Sequence, residues 1–298
     1  MSSLEERSTP LAWPESYGEE ARERVGFFTD TSVCIGCKAC EVACKEWNLI
    51  PQRELRWTGE SYDNTSALGS EAWRHVAFVE QRAPLRLDGD GPERVDGALR
   101  WLMSSDVCKH CTHAACLDVC PTGALFRTEL GTVVVQEDVC NGCGYCVPAC
   151  PFGVIDRREL PAADRPGPFA GKPDGRVWKC TLCYDRTKGG HEPACAKACP
   201  TDSIQFGPLD ELRGRAERRL EKLRSEGWNG ARLYGEDGQD GVGGFGAFFL
   251  LLDEPEVYGL PPDPVVPTRR LPELYAAAAV AAAALVAGVA GALLGGRR

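Results

Sequence analysis

Four cysteines lie close together in the run Cys34-Ile-Gly-Cys-Lys-Ala-Cys-Glu-Val-Ala-Cys44, with two, two and three residues between them. Cysteine thiolates at this spacing hold cubane iron–sulfur clusters, because three of them can reach one cluster from a single tight loop. The fourth cysteine lies about a helical turn further on, and in two-cluster proteins it binds the other cluster. One such run therefore predicts a partner run elsewhere in the chain.

Three more groups of four cysteines follow, and the four groups together contain all 16 cysteines of the chain. The intervening residues number two, four and three in the second group, two, two and three in the third, and two, eleven and three in the fourth. A proline after the last cysteine of these three groups would end a short helix there. The groups are Cys34, Cys37, Cys40 and Cys44; Cys108, Cys111, Cys116 and Cys120; Cys140, Cys143, Cys146 and Cys150; and Cys180, Cys183, Cys195 and Cys199.

The groups form an internal repeat that predicts their pairing. Groups two and three lie close together, as in a bacterial two-cluster ferredoxin, and groups one and four flank them. We therefore expect one ferredoxin-like unit inserted inside another. Within each unit, the last cysteine of one group is expected to bind the cluster of the other group. The four predicted [4Fe–4S] sites are site 1, Cys34, Cys37, Cys40 and Cys199; site 2, Cys108, Cys111, Cys116 and Cys150; site 3, Cys140, Cys143, Cys146 and Cys120; and site 4, Cys180, Cys183, Cys195 and Cys44.

Disulfides and structural zinc are the alternative uses of so many cysteines. Disulfide scaffolds usually belong to secreted chains below about 100 residues, whereas this chain has 298. Structural zinc favours paired C-x2-C knuckles and would suit the fourth group best. The formal net charge of −9 argues against nucleic acid as a partner, because phosphates need Lys and Arg.

Hydrophobic patterning predicts strands at residues 25–33, 73–79 and 99–103 and a turn between the last two at 87–92. Leucines at helical spacing predict a packing helix over residues 209–225. The apolar run 243–252 is expected to be a buried strand after a glycine turn, and the gap 184–194 a loop. The predicted order begins with a polar arm (1–26), which has a short helix at 19–24. A four-cluster domain (27–207) follows, with an inner unit at about 104–156 and a β insertion at about 45–103. The chain then continues through a helix-plus-strand extension (208–260) and a linker (261–273) to an apolar helix (274–294).

The apolar helix has 21 residues and no charge, which is enough to cross a hydrocarbon core about 30 Å thick. A buried helix of a soluble protein is the alternative. Arg269-Arg270 precede it and Arg297-Arg298 follow it, so the positive-inside rule leaves its orientation open. Residues 1–26 contain no apolar run and no twin arginine, so we expect no export signal in this chain.

No second constellation of catalytic residues accompanies the cysteines, so an electron-transfer, non-catalytic role is expected. The four histidines are scattered and none lies in the apolar helix, which therefore cannot supply a haem ligand. Glycines at 36, 142 and 144 would let the backbone wrap the clusters. Four lysines beside ligands would either raise cluster potentials or be solvated counter-charges: Lys38, Lys45, Lys109 and Lys179.

From residue 33 to its C-terminus, the chain resembles the iron–sulfur (beta) subunit of membrane-bound formate dehydrogenases, one of the four-cluster subunits of molybdopterin oxidoreductases. The cysteine spacings are similar to those of the wider family, and other motifs point to the formate dehydrogenase branch. These motifs are Glu46-Trp47-Asn48, Gly241-Val-Gly-Gly244, Tyr258-Gly-Leu-Pro-Pro-Asp-Pro264 and the single C-terminal span.

The resemblance implies a molybdopterin catalytic subunit that oxidises formate and a cytochrome b-type membrane subunit that reduces quinone. It also implies export with the partner's twin-arginine signal, which would leave most of the chain on the extracytoplasmic side of a single-pass anchor. The alternatives are an equivalent subunit of a nitrate, sulfoxide or polysulfide oxidoreductase, or a zinc-stabilised interaction module on a membrane.

Overall fold

The computed structural model describes residues 23–52, 59, 62–81, 100–158 and 175–295. Nearly all of the N-terminal arm, including most of its predicted helix, lies outside these residues, as does the predicted turn at 87–92. The strands are β1 Val25–Asp30, β2 Arg74–Gln81, β3 Arg100–Val107, β4 Leu125–Arg127, β5 Val133–Val135, β6 Asp156–Arg157, β7 Val177–Trp178, β8 Ile204–Pro208, β9 Arg232–Tyr234 and β10 Ala247–Leu251. The helices are α1 Ala39–Trp47, α2 Ala115–Asp118, α3 Cys146–Ala149, α4 Tyr184–Lys188, α5 Ala194–Lys197, α6 Leu209–Ser225 and α7 Leu271–Gly295, with 3-10 turns at Thr31–Val33, Pro255–Tyr258 and Pro267–Arg270.

A four-stranded sheet in the order β8-β1-β10-β9 forms the base of the molecule. Its central strand β10 is buried along its whole length and pairs in parallel with β1, where Phe28 lies opposite Phe248. Helix α6 packs on the sheet through Leu209, Leu212 and Ala216. The predicted helix at 209–225 and the predicted buried strand after the glycine turn are confirmed.

Hairpins carry the remaining strands, and the long β2–β3 hairpin confirms the two strands predicted between the first two cysteine groups. Strand β1 is shorter than expected, because a 3-10 turn replaces its last three residues and delivers the chain to Cys34. The predicted loop at 184–194 is wrong in part, since helix α4 occupies its first turns. After α4, the residues Gly189 and Gly190 still form a turn, in which Gly190 has a φ of +76°.

The segment after residue 259 is not a free linker. Leu260 and Val266 are buried in the same core as β10. The Val266 amide donates to the Gly241 carbonyl at 3.3 Å, and the Tyr234 hydroxyl donates to the Pro261 carbonyl at 2.5 Å. The polypeptide is therefore fixed to the domain until the start of α7.

Helix α7 extends beyond this core. The 21 residues Glu273–Leu293 are long and apolar enough to cross a membrane, and none of the most apolar stretch is buried against the rest of the chain. A buried helix of a soluble domain would have its apolar surface covered. The alternative of a buried soluble helix therefore does not describe α7.

Replacing Gly26 with alanine tests how closely β1 approaches β10. A Cβ atom at residue 26 would lie 2.0 Å from the Gly246 carbonyl oxygen and 2.7 Å from Leu209 Cδ2, and backbone cannot move away cheaply. We expect Gly26→Ala to destabilise the domain by about 1–3 kcal/mol or more, measured by thermal unfolding of the anaerobically purified protein. Gly238→Ala is the control, since nothing lies within 4 Å of its Cβ position; equal effects of the two changes would contradict the assignment.

Candidate iron–sulfur cluster sites

The cysteine loops are shaped by residues in the left-handed region of backbone conformation. Gly36 has a φ of +65°, and a Cβ atom there would lie 2.6 Å from the Phe78 ring. Gly142 has a φ of +76°, and a Cβ atom there would meet the Gly175 carbonyl at 2.4 Å. Only glycine fits both requirements, so these two loops can curl until their thiols converge.

Three of the predicted cysteine sets line separate cavities. Each set combines three cysteines of one group with the last cysteine of another. The cavity of site 1 is lined by Cys34, Cys37, Cys40 and Cys199; that of site 2 by Cys108, Cys111, Cys116 and Cys150; and that of site 3 by Cys120, Cys140, Cys143 and Cys146.

The fourth set meets where α1 packs against α5. Burial raises the pKa of the Cys44 thiol well above its ordinary value, and the neighbouring Cys195, Cys180 and Cys183 raise it further. The side-chain amide of Asn48 donates to the sulfurs of Cys44 and Cys183 at 3.7 and 3.9 Å. Cys44 therefore lies among the cysteines of the fourth group.

The four sites follow one another in the order 1, 4, 2, 3. Besides burial, the pKa of Cys40 in site 1 is raised by Cys195 in site 4, and that of Cys180 in site 4 by Cys108 in site 2. Burial raises the pKa of Cys116 in site 2 to about 12, with a contribution from Cys146 in site 3. Short helices connect neighbouring sites. Helix α1, for example, contains both Cys40 of site 1 and Cys44 of site 4.

Exposure distinguishes the ends of this row from its middle. Of the sixteen cysteines, only Cys37 in site 1 and Cys143 in site 3 are exposed. All four cysteines of site 4 are buried. In site 2, Cys108 is buried and the other three cysteines are partly exposed, so each end of the row has one exposed cysteine and the two middle sites have none.

The donor sets fit multi-atom clusters. Among the described residues, no three His, Cys, Asp or Glu side chains are placed to hold a single metal ion. The cysteines instead surround cavities, as four thiolates around a cubane do. Backbone amides also approach the sulfurs: the Leu182 amide donates to Cys180 Sγ at 3.2 Å.

Two protein families, both described as 4Fe-4S dicluster domains, match the chain at residues 33–124 and 99–209. The nitrate-inducible formate dehydrogenase iron–sulfur subunit of Escherichia coli is 38% identical over 269 residues, which are 89% of this chain and 82% of that protein. The formate dehydrogenase iron–sulfur subunit of Haemophilus influenzae is 38% identical over 85% of this chain and 73% of its own length. The chain belongs to the iron–sulfur subunits of formate dehydrogenases.

The wider relationship of this iron–sulfur subunit is also visible. The B subunit of the anaerobic dimethyl sulfoxide reductase of Escherichia coli is 36% identical over 189 residues, which are 63% of this chain and 75% of that protein. The resemblance drawn from the cysteine spacings and accompanying motifs is thus confirmed. The chain is an electron-transfer subunit of a formate dehydrogenase-type complex.

The four lysines beside the ligands differ in their contacts: two form ion pairs with carboxylates, and two donate hydrogen bonds to backbone carbonyls. Lys38 pairs with Glu41 and Asp63 at 3.3 and 3.4 Å. Lys109, whose side chain is fully buried, forms an ion pair with Asp106. Lys45 donates to the Glu71 carbonyl at 3.0 Å. Lys179 is buried and donates to the carbonyls of Val133 and Cys180. Lys109 and Lys179 are therefore fixed internal charges, whereas Lys38 and Lys45 are partly exposed.

Sequence reasoning did not single out two buried side chains near the sulfurs, Arg74 and Ser105. Ser105 Oγ lies 3.3 Å from Cys40 Sγ and accepts a hydrogen bond from Arg74 at 3.0 Å. A signal was present in the sequence, because Arg74 and His75 interrupt an apolar strand. The pattern could not show that the charge points inward, since strand register depends on the partner strand.

Removing the carboxylate of Asp106 would leave the buried Lys109 charge unpaired. We expect Asp106→Asn to destabilise the subunit by about 2–3 kcal/mol, and Asp106→Asn with Lys109→Met to recover part of that loss. Thermal unfolding of the purified complex measures both. Arg213→Gln is the control, because its pair with the exposed Asp210 should contribute less than about 1 kcal/mol; a double variant no more stable than Asp106→Asn would contradict the pairing.

Proposed function

We propose that the subunit carries electrons through four [4Fe–4S] clusters from a molybdopterin formate-oxidising subunit to a membrane cytochrome b/quinone subunit. The observation that carries this proposal is the single row of four cysteine sets, with an exposed cysteine in each end site and none in the two middle sites. Each bound cluster would take up and release one electron at a time. The chain contributes the thiolates, their burial and the hydrogen bonds to sulfur that set each potential.

The ligand sets that we propose are those of sites 1 to 4 as defined above. Groups one and four would then exchange their last cysteines, and so would groups two and three. This exchange supports an α+β fold in which the unit of groups two and three is inserted into the unit of groups one and four. The sheet of β1, β8 and β10 would close the outer unit, and the β4–β5 hairpin would belong to the inner one.

The two ends of the row are proposed to face different partners. The 3-10 turn that leads into α7 contacts α2, and Thr268 donates to Asp118 at 2.7 Å. Helix α2 contains Cys116 of site 2 and is followed by Cys120 of site 3. These contacts support a row whose site 2–site 3 end lies towards the membrane helix, so that site 1, with the exposed Cys37, would receive electrons from the catalytic partner.

Formate as the source of electrons is supported by the relatives. The formate dehydrogenase subunits match 85–89% of this chain, whereas the dimethyl sulfoxide reductase subunit matches 63%. A sulfoxide-type complex is the second candidate on the strength of that relative. Helix α7 supports a single-pass anchor, and we propose that the domain lies on the extracytoplasmic side with its catalytic partner.

Purification of the intact complex under anaerobic conditions tests this function. We expect about sixteen iron atoms from this chain, four for each cubane, in addition to the haem iron of the cytochrome b subunit, and rapid reduction of the clusters on adding formate. Iron and sulfide analysis with visible absorbance and electron paramagnetic resonance provides the readout. A colourless, zinc-loaded chain would refute the cluster assignment, and clusters that are oxidised by a sulfoxide but not reduced by formate would favour the second candidate.

Replacing Cys44 tests the exchanged ligands. Because Cys44 lies among the cysteines of the fourth group, Cys44→Ala should disturb the cluster of site 4 and leave that of site 1 in place. Cys37→Ala is the matched control and should disturb site 1. Paramagnetic resonance spectra at controlled potentials distinguish the two. Loss of the site 1 signal in Cys44→Ala would show that the first group keeps all its own cysteines.

A further inference from the structure

Arg74, in strand β2, is a buried cation without a carboxylate partner. Only 2% of its surface is exposed. Its guanidinium lies 4.9 Å from the centre of the Phe27 ring and donates through Nη1 to the Ser105 carbonyl at 3.2 Å and to Ser105 Oγ at 3.0 Å. No acidic side chain of the described residues pairs with it, and its Nε and Nη2 atoms are buried without a hydrogen-bond partner.

A buried charge left in this state is costly unless opposite charge lies close by. The nearby groups that can be negative are thiols of two different sites and the carboxylates of Glu41 and Glu71, which line a cavity together with Arg74. Burial raises the pKa of the thiols of Cys40 in site 1 and of Cys195, Cys44 and Cys180 in site 4, and the charge of Arg74 opposes that rise in each. The charge of Arg74 therefore influences thiols of both sites.

Hydrogen bonds and shared cavity linings place Arg74 between sites 1 and 4. Ser105 lines the cavity of site 1 and touches both Arg74 Nη1 and Cys40 Sγ. On the other side, Arg74 and Cys44 of site 4 line one cavity. Strand pairing places Arg74 opposite Val107, the residue before Cys108. The guanidinium is held by rigid strands, and its charge cannot move to solvent when the clusters change charge.

The lysines beside the cysteines do not duplicate this role at sites 1 and 4. Lys38 is paired with two carboxylates, and Lys109 is paired with Asp106. Lys179 lies beside Cys180, and after burial its charge is the largest influence on Cys116 of site 2. Arg74, in contrast, has no carboxylate partner among the described residues and influences thiols of sites 1 and 4 together.

We propose that Arg74 is a shared counter-ion that raises the reduction potentials of the clusters in sites 1 and 4 together. Reduction adds one negative charge to a cluster, and a fixed positive charge stabilises the reduced state more than the oxidised one. Arginine suits the position because it keeps its charge when buried. The inference rests on the proposed ligand sets and adds a residue outside the cysteine motifs that sets the potentials where electrons enter.

Redox titration of the intact complex, followed by electron paramagnetic resonance, tests the proposal. Arg74→Gln keeps hydrogen-bonding capacity and removes the charge. We expect it to lower the equilibrium constant for reduction about tenfold or more in both sites 1 and 4, or about 59 mV for one electron, with sites 2 and 3 little changed. Arg74→Lys keeps the charge and should retain potentials near those of the parent. Unchanged potentials in Arg74→Gln, a shift in one site alone, or an equal shift in Arg74→Lys would overturn the proposal.

Arg100→Gln is the matched control. Arg100 is a buried arginine at the opposite end of the same hairpin, where Asp253 pairs with it at 2.9 Å. Its removal should leave the potentials of sites 1 and 4 in place, and a shift equal to that of Arg74→Gln would show that the effect is not specific to Arg74.

Iron analysis covers the case in which Arg74→Gln does not load fully. A shared counter-ion predicts loss of about eight irons from sites 1 and 4 together, while Arg74→Lys still loads. Loss of one cluster, or of all four in both variants, would refute it. Failure of the proposed function is seen separately, in a parent complex without four clusters or in Cys44→Ala spectra that contradict the ligand sets.

Discussion

Two thiols on one short helix face different sites, and the rest of the structure depends on that constraint. Helix α1 carries Cys40 into site 1 and, four residues later, Cys44 into the cysteines of the fourth group. The rise of four helical residues, about 6 Å, therefore separates the Cα atoms of two cysteines that belong to neighbouring sites. The α1–α5 packing and the β1–β8 pairing both bring the first and fourth groups together, although most of the chain lies between them.

A second constraint is electrostatic. Burial raises the pKa of most of the thiols in the row, because the charged form is costly in an apolar interior, and the fold offsets part of that cost with positive charge. It does so with cations that are themselves buried: Lys109, Lys179 and Arg74 are at most 2% exposed. Aromatic rings line two of these cations: Phe27 lies 4.9 Å from Arg74, and Phe152 and Phe249 lie 5.3 and 4.9 Å from Lys109. Charge is compensated inside the protein more than by solvent, which keeps the electrostatic surroundings of the sites fixed.

Much of the candidate site could be predicted from the sequence because cysteine spacing is a local signal. Groupings of three cysteines follow from loop length, and the exchange of the fourth follows from the known behaviour of such runs. Helix α6 was predictable to the residue from its apolar spacing. Short helix α4 was missed because five residues contain too little periodicity to detect. Arg74 was missed because a charged residue in a strand is ordinarily assigned to the solvent face, and only the β2–β3 register shows otherwise. The segment after Gly259 was predicted as a linker because its prolines and glycine show no helical or strand-like spacing of apolar residues. The pattern therefore does not show that Leu260 and Val266 are buried.

The parallel pairing of β1 with β10 also dictates when this protein can fold. Phe27 lies opposite Ala247 and Phe28 opposite Phe248, so the strand that delivers Cys34 gains its central neighbour only after almost the whole soluble domain has been synthesised. Contacts so distant in sequence form slowly, because loop closure must precede them. The first cysteine loop leaves the ribosome early yet cannot take its final shape until the last strand arrives. Cluster insertion at site 1 is therefore expected to be a late event, and a nascent chain must keep its early thiols reduced and unoccupied by other metals until then.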